Sequence, residues 1–183
     1  MKKFAVTLCT LVLAGISAHA AETLKIDPSA SEVKFSIMNK PPNESEFSEV
    51  TGSFKDFSGT VELDEANPSA SSIHFEVRTA SVDTANQKRD DHLRNQDFFK
   101  VKEFPVMTFK SKSVKPLGDD KYEVAGDFTL LGKSKELMVT VEKAGERTAS
   151  TKFRIKRSEF GMNYRVPETA DEVDVSLKLV AAK

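Results

Sequence analysis

The sequence predicts an all-β protein, an antiparallel sheet of about eight or nine strands curled into a barrel or a sandwich. Three observations predict it. Apolar and polar residues alternate with a period of two through most of the chain, turn-forming residues interrupt that alternation at short intervals, and glycines recur on its apolar side. Successive side chains of an extended strand point to opposite faces, so such alternation gives each strand one greasy and one wet face.

Residues 1–20 stand apart. Lys2 and Lys3 precede an apolar run over residues 4–16, and Ala18-His19-Ala20 follows as a small-x-small pattern. This is the layout of a cleavable export signal with cleavage after Ala20. The run is shorter than the ~20 residues that cross a bilayer. The expected mature protein is a single secreted, periplasmic domain over residues 21–183. The only cysteine, Cys9, lies in the leader, so disulfides and thiolate metal sites are not expected.

The strands follow in order. Val33, Phe35 and Ile37 alternate with Glu32, Lys34 and Ser36; Ile73, Phe75 and Val77 alternate with His74, Glu76 and Arg78. Leu137, Val139 and Val141 face one way and Thr140 and Glu142 the other, while Val173, Val175, Leu177 and Leu179 alternate with Asp174, Ser176 and Lys178. Further strands are predicted over Ser48–Phe54, 57–64, 106–114, Lys121–Leu130 and Thr148–Lys156. Turn chemistry separates them at Asn67-Pro68-Ser69, Pro116-Leu117-Gly118-Asp119, Leu131-Gly132-Lys133 and Ala144-Gly145-Glu146. Pro41-Pro42 marks an extended loop over residues 39–44, since consecutive prolines do not suit a central strand.

One stretch breaks the alternation. Thr84 with Gln87 three residues on forms a capping box, which predicts a short polar helix continuing through residues 88–97. Its apolar face is small, so Phe98, Phe99 and Phe104 are expected to pin it to the sheet.

Gly52 shares parity with Val50 and Phe54, Gly59 with Phe57 and Val61, and Gly126 with Val124 and Phe128. All three sit on the greasy face. Two readings stay open there: a sharp local coiling of the strand, or an interior thinned to admit a ligand. The composition is similarly two-sided, because 13 Phe against 2 Tyr and no Trp suits either a packed core or an apolar cavity. Near-balanced charge, with 27 basic and 28 acidic side chains, is no footprint for nucleic acid or an anionic membrane.

Several motifs then resemble the YceI-like family. They are Val50-Thr51-Gly52-Ser53-Phe54 with Phe57-Ser58-Gly59; Asn86-Gln87-Lys88-Arg89-Asp90-Asp91-His92-Leu93 with Asp97-Phe98-Phe99; Phe104-Pro105-Val106-Met107-Thr108-Phe109; residues 126–135 from Gly126 to Lys135; and Arg157-Ser158-Glu159-Phe160-Gly161-Met162. The resemblance implies an extended eight-stranded antiparallel β-barrel, lipocalin-like, with one short inserted polar helix. It also implies a periplasmic protein that binds polyisoprenoids or other long amphiphiles inside the barrel.

Parity nominates the interior. Phe35, Ile37, Val61, Phe75, Val77, Met107, Phe109, Phe128, Leu130, Leu137, Val139, Phe153, Val175 and Leu177 are the candidate lining. Burying about eight methylenes at ~0.8 kcal/mol each would supply ~6 kcal/mol before association costs. Asn86, Arg89 and Arg94 are candidates to hold a polar head group, though Arg89 and Asp90 would equally tie the helix to its neighbours. His74 has outward parity. His92 beside Asp90 and Asp91 is expected to be a hydrogen-bonded structural residue, since a metal needs three or four converging ligands.

No nucleophile elbow, phosphate loop or zinc-protease helix occurs, so neither an enzyme nor a cofactor is expected. The expected partner is an isoprenoid quinone, polyisoprenoid or fatty-acyl lipid, and a homodimer is compatible with the sequence. The competing reading is a filled barrel acting as a protein–protein module, in envelope stress or beside a membrane redox complex.

Overall fold

A computed structural model describes residues 22–182, so the leader expected over residues 1–20 lies outside the described residues. The strands are β1 (Glu22–Lys25), β2 (Glu32–Asn39), β3 (Ser48–Phe54), β4 (Phe57–Leu63), β5 (Ser72–Arg78), β6 (Val82–Asp83), β7 (Val106–Gly118), β8 (Lys121–Leu130), β9 (Lys133–Lys143), β10 (Thr148–Lys156) and β11 (Thr169–Val180), with helix α1 at Gln87–Leu93. They form one antiparallel sheet in the order β1-β4-β5-β7-β8-β9-β10-β11-β2-β3-β6. The sheet curls until its first strand meets β11. Ile26 bridges Ala181, the Asp27 amide donates to the Val180 carbonyl at 2.8 Å, and the Ala182 amide donates to the Lys25 carbonyl at 2.7 Å.

The sheet has 11 strands rather than the expected eight. Alternation marks nine of them, and the strands on either side of Lys55-Asp56 pair different neighbours, β3 with β2 and β4 with β5. β1 and β6 add the rest, and pieces of 4 and 2 residues are too short to declare a period.

Two local expectations are corrected. Pro116 and Leu117 belong to β7 rather than to the turn, and Pro116 sits opposite Tyr122 where the register slips. A bulge is a place where the missing proline N–H costs little. The reversal instead uses Gly118, Asp119 and Asp120, all at positive φ. The helix is capped by Asn86, whose side chain accepts from the Arg89 amide, not by Thr84, and it ends at Leu93 rather than Asp97. Thr84 is buried and turned to Asp90, whose carboxylate accepts from the Thr84 amide at 2.9 Å.

The glycines do not thin the interior. A side chain at Gly52 would strike the ring of Phe35, one at Gly59 the ring of Phe75, and one at Gly126 the ring of Phe109. Phe35 pairs Gly52 and Phe75 pairs Gly59 across the strands, so the aromatic neighbour occupies the vacancy. Coiling is served; the space is not left empty.

Buried apolar residues form a wall in three patches. Val33, Phe54, Phe57, Phe75, Val77 and Val82 make the first, joined by Leu93 and Phe99 beside the helix. Leu130, Leu131, Phe160 and Met162 make the second, with Phe98, Phe104 and Phe128 against it, and Val114, Val124 and Val139 the third.

Candidate ligand-binding cavity

Inward parity from strands on every side of the curl leaves a cavity of about 700 Å³. This lies in the range of pockets that enclose small organic ligands. Phe35, Ile37, Val61, Phe75, Val77, Met107, Phe109, Phe128, Leu130, Leu137, Val139, Phe153, Val175 and Leu177 all border it. Alternation placed these side chains on the strand faces that border the hollow. Leu24, Ile26, Ile155 and Val173 also border it and were missed. Ile155 and Val173 could have been found from the parity of Phe153 and Val175.

Polar groups gather at the two ends. Asn86, Lys88, Arg89 and His92 of the α1 region meet Asn39, Pro42, Tyr164, Arg165 and Thr169 at one end; Lys143, Glu146, Arg147 and Thr148 mark the other. Arg89 is held in place by Thr84, with Nε donating to the hydroxyl at 2.8 Å and Nη2 to the carbonyl at 2.9 Å. Asn86 both caps α1 and borders the cavity. Asn86→Ala is expected to cost ~1 kcal/mol in a urea unfolding series, the usual worth of a cap.

Arg94 is placed elsewhere. It does not border the cavity; Nε donates to the Ala80 carbonyl and Nη2 to the Val82 carbonyl, both at 2.8 Å. One turn of helix rotates it onto β6, a direction that spacing in sequence could not give. His92 bonds through Nε2 to Asp97 at 2.8 Å and packs edge-on against Phe98 and Tyr164. His74 is on the outer face, 3.6 Å from Glu76.

The group that sequence reasoning passed over is Arg157. Only 2 % of it is exposed, yet its guanidinium donates to four carbonyls: Ala170, Met162, Tyr164 and Thr169, at 2.8 to 2.9 Å. Burial pushes its pKa below the ordinary arginine value, and the charge of Asp171 opposes that shift. Arg157 fastens the segment between β10 and β11, and so places Tyr164 and Arg165 at the cavity end. Its signal was present in Arg157-Ser158-Glu159-Phe160-Gly161-Met162, but the motif does not say which member is buried.

The YceI-like domain matches residues 24–181 of this chain. The chain belongs to the YceI-like family. A YceI protein of Escherichia coli O17:K52:H18 is 33% identical over 190 residues, covering 98% of this chain and 97% of the relative. One from Salmonella newport is 39% identical over 140 residues, covering 76% of this chain and 71% of its own.

Among solved structures, BcnA of Burkholderia cenocepacia superposes with a TM-score of 0.75 at 29% identity, over 86% of this chain and 99% of that one. A YceI protein of Campylobacter jejuni gives 0.66 at 29%, over 78% and 91%. A polyisoprenoid binding domain from Saccharophagus degradans, implicated in plant cell wall breakdown, gives 0.64 at 16% identity, over 88% and 98%; at that identity it shares the fold. The YceI-like fold is thus the one the chain adopts, curled all-β sheet and short helix together.

Proposed function

We propose that this YceI-like protein binds one long apolar amphiphile, a polyisoprenoid, isoprenoid quinone or fatty-acyl lipid, and carries it without chemical change. The proposed place of that work is the periplasm, in keeping with the leader expected over residues 1–20. The observation that carries the reading is the cavity of about 700 Å³ with its wall of inward-facing apolar side chains. Hydrocarbon moved from water into such a space is stabilised in proportion to the area covered. The polyisoprenoid-binding neighbour on the same fold supports the ligand class.

Charge supports an acidic head group. Lys34, Lys88, Arg89, Lys143, Arg147, Arg157 and Arg165 border the cavity, and Glu146 is the acidic side chain among them. Guanidinium groups near the α1 end suit a phosphate or carboxylate. The partner-docking reading calls for a filled barrel, which the open interior does not supply.

The test is uptake of a fluorescent prenyl or fatty-acyl probe by Val175→Asp and Phe128→Asp, with thermal unfolding to confirm that each variant is folded. Either carboxylate would need burying without a partner, at a cost of several kcal/mol. Affinity is therefore expected to fall by about a hundredfold or more. Val175→Phe, which adds bulk without charge, should weaken binding less. A folded Asp variant with parental affinity ends the carrier reading.

A further inference from the structure

The wall of the cavity is split. β9 and β10 pair only at Lys143–Ala149, Glu142–Ser150 and Val141–Thr151, whereas β9 pairs β8 along its length and β10 pairs β11 along its length. The last tie between them is the Thr151 hydroxyl donating to the Thr140 carbonyl at 2.8 Å. Beyond it the two strands part, and each keeps an edge without a ladder partner. A closed barrel normally abolishes such edges, and a retained one is guarded by charge. Glu136 on β9 and Lys152, Arg154 and Lys156 on β10 are exposed on the outer face, while Lys133 and Lys135, also exposed, share the inward parity of Leu137.

Continuing the observed register across the split sets Val139 opposite Phe153 and Leu137 opposite Ile155 on the inner face. All four border the cavity. The split therefore has apolar lips inside and charged shoulders outside. Both ends of the cavity are tied more firmly. At the α1 end Arg165 donates to the Lys40 carbonyl at 3.0 Å and Tyr164 packs on His92 and Phe98. At the opposite end Lys143, on the inward parity of β9, reaches Glu65 at 3.3 Å. Passage through either end takes hydrocarbon past charged groups that border the cavity. Parting β9 from β10 breaks no ladder bond above Val141.

We propose that the split between β9 and β10 is the door through which the apolar tail of the cargo enters and leaves sideways. This rests on the binding reading above and adds the route. The chain from residue 21 onward has no cysteine, so a single link can be placed across the split. Met138→Cys with Arg154→Cys puts thiols on the outer face at facing register positions, to be joined by addition to a short bis-maleimide whose linker carries a reducible disulfide.

Stopped-flow uptake of a dansyl-labelled fatty acid is then compared in the linked and unlinked double variant. The linked form is expected to load and release at least about tenfold more slowly at unchanged final occupancy, and reduction of the link should restore the rate in the same sample. Equal rates in linked and unlinked protein would overturn the door while leaving the cavity reading intact. Absence of uptake by every form, parent included, would overturn both.

Discussion

Replacing Arg157 with alanine is expected to lower the stability of the fold by ~3–5 kcal/mol, the scale seen when a buried charged group that satisfies its neighbours is removed. Four carbonyls, those of Ala170, Met162, Tyr164 and Thr169, would lose their donor inside the protein. Each buried acceptor left unpaired costs on the order of 1–3 kcal/mol unless water enters. Small domains are stable by only ~5–15 kcal/mol, so the loss is a large share of the total.

Urea unfolding of the parent and Arg157→Ala measures it directly. Arg157→Lys should recover little, because an ammonium carries a compact set of three donors where the guanidinium spreads five in a plane. A midpoint unmoved by Arg157→Ala would show that the segment between β10 and β11 holds itself. Although burial lowers its pKa, a guanidinium starts so high that it stays protonated at neutral pH. This contribution should therefore be flat across the physiological pH range.

Gly126→Ala is expected to cost ~2–3 kcal/mol, the upper part of the range for forcing an atom into a packed site. An added Cβ would lie 2.5 Å from the Lys110 carbonyl oxygen and 2.8 Å from the Ser111 Cα. Both are backbone atoms of β7, at the place where its register with β8 slips. They can yield only by moving the strand. Gly52→Ala meets mainly the Phe35 ring, which can turn into the cavity, so it should cost less stability and more ligand space. Unfolding midpoints and probe affinity for the two variants separate the cases. Equal destabilisation by both would show that backbone contact is not what sets the cost at Gly126.

These two sites also mark where sequence ceased to be informative. Alternation located the long strands and their inner faces because one side of each is wet. That is why Phe35, Val139 and Val175 could be assigned to the cavity without knowing which strands are neighbours. What the glycines do depends on pairing: Phe75 covers Gly59 only because β5 lies beside β4. Thr84 and Asn86 are both good caps by type, and the choice fell to Asn86 because Thr84 is engaged by Asp90 and Arg89. Arg157 drew no reading of its own, since arginine is rarely so deep and its type gives no sign of burial. The split between β9 and β10 could not be read at all, since each strand alternates normally and only their mutual register ends early.

Ile26 lies against Ala181, so the closing stave of the wall joins residues far apart in sequence. The interior is not enclosed until residues near Ala181 have joined those near Ile26. Contacts of such sequence separation close slowly, because most of the chain must be ordered before they form. The hollow is thus the latest part of the molecule to exist, and any greasy compound captured earlier would be met by an open, half-rolled sheet.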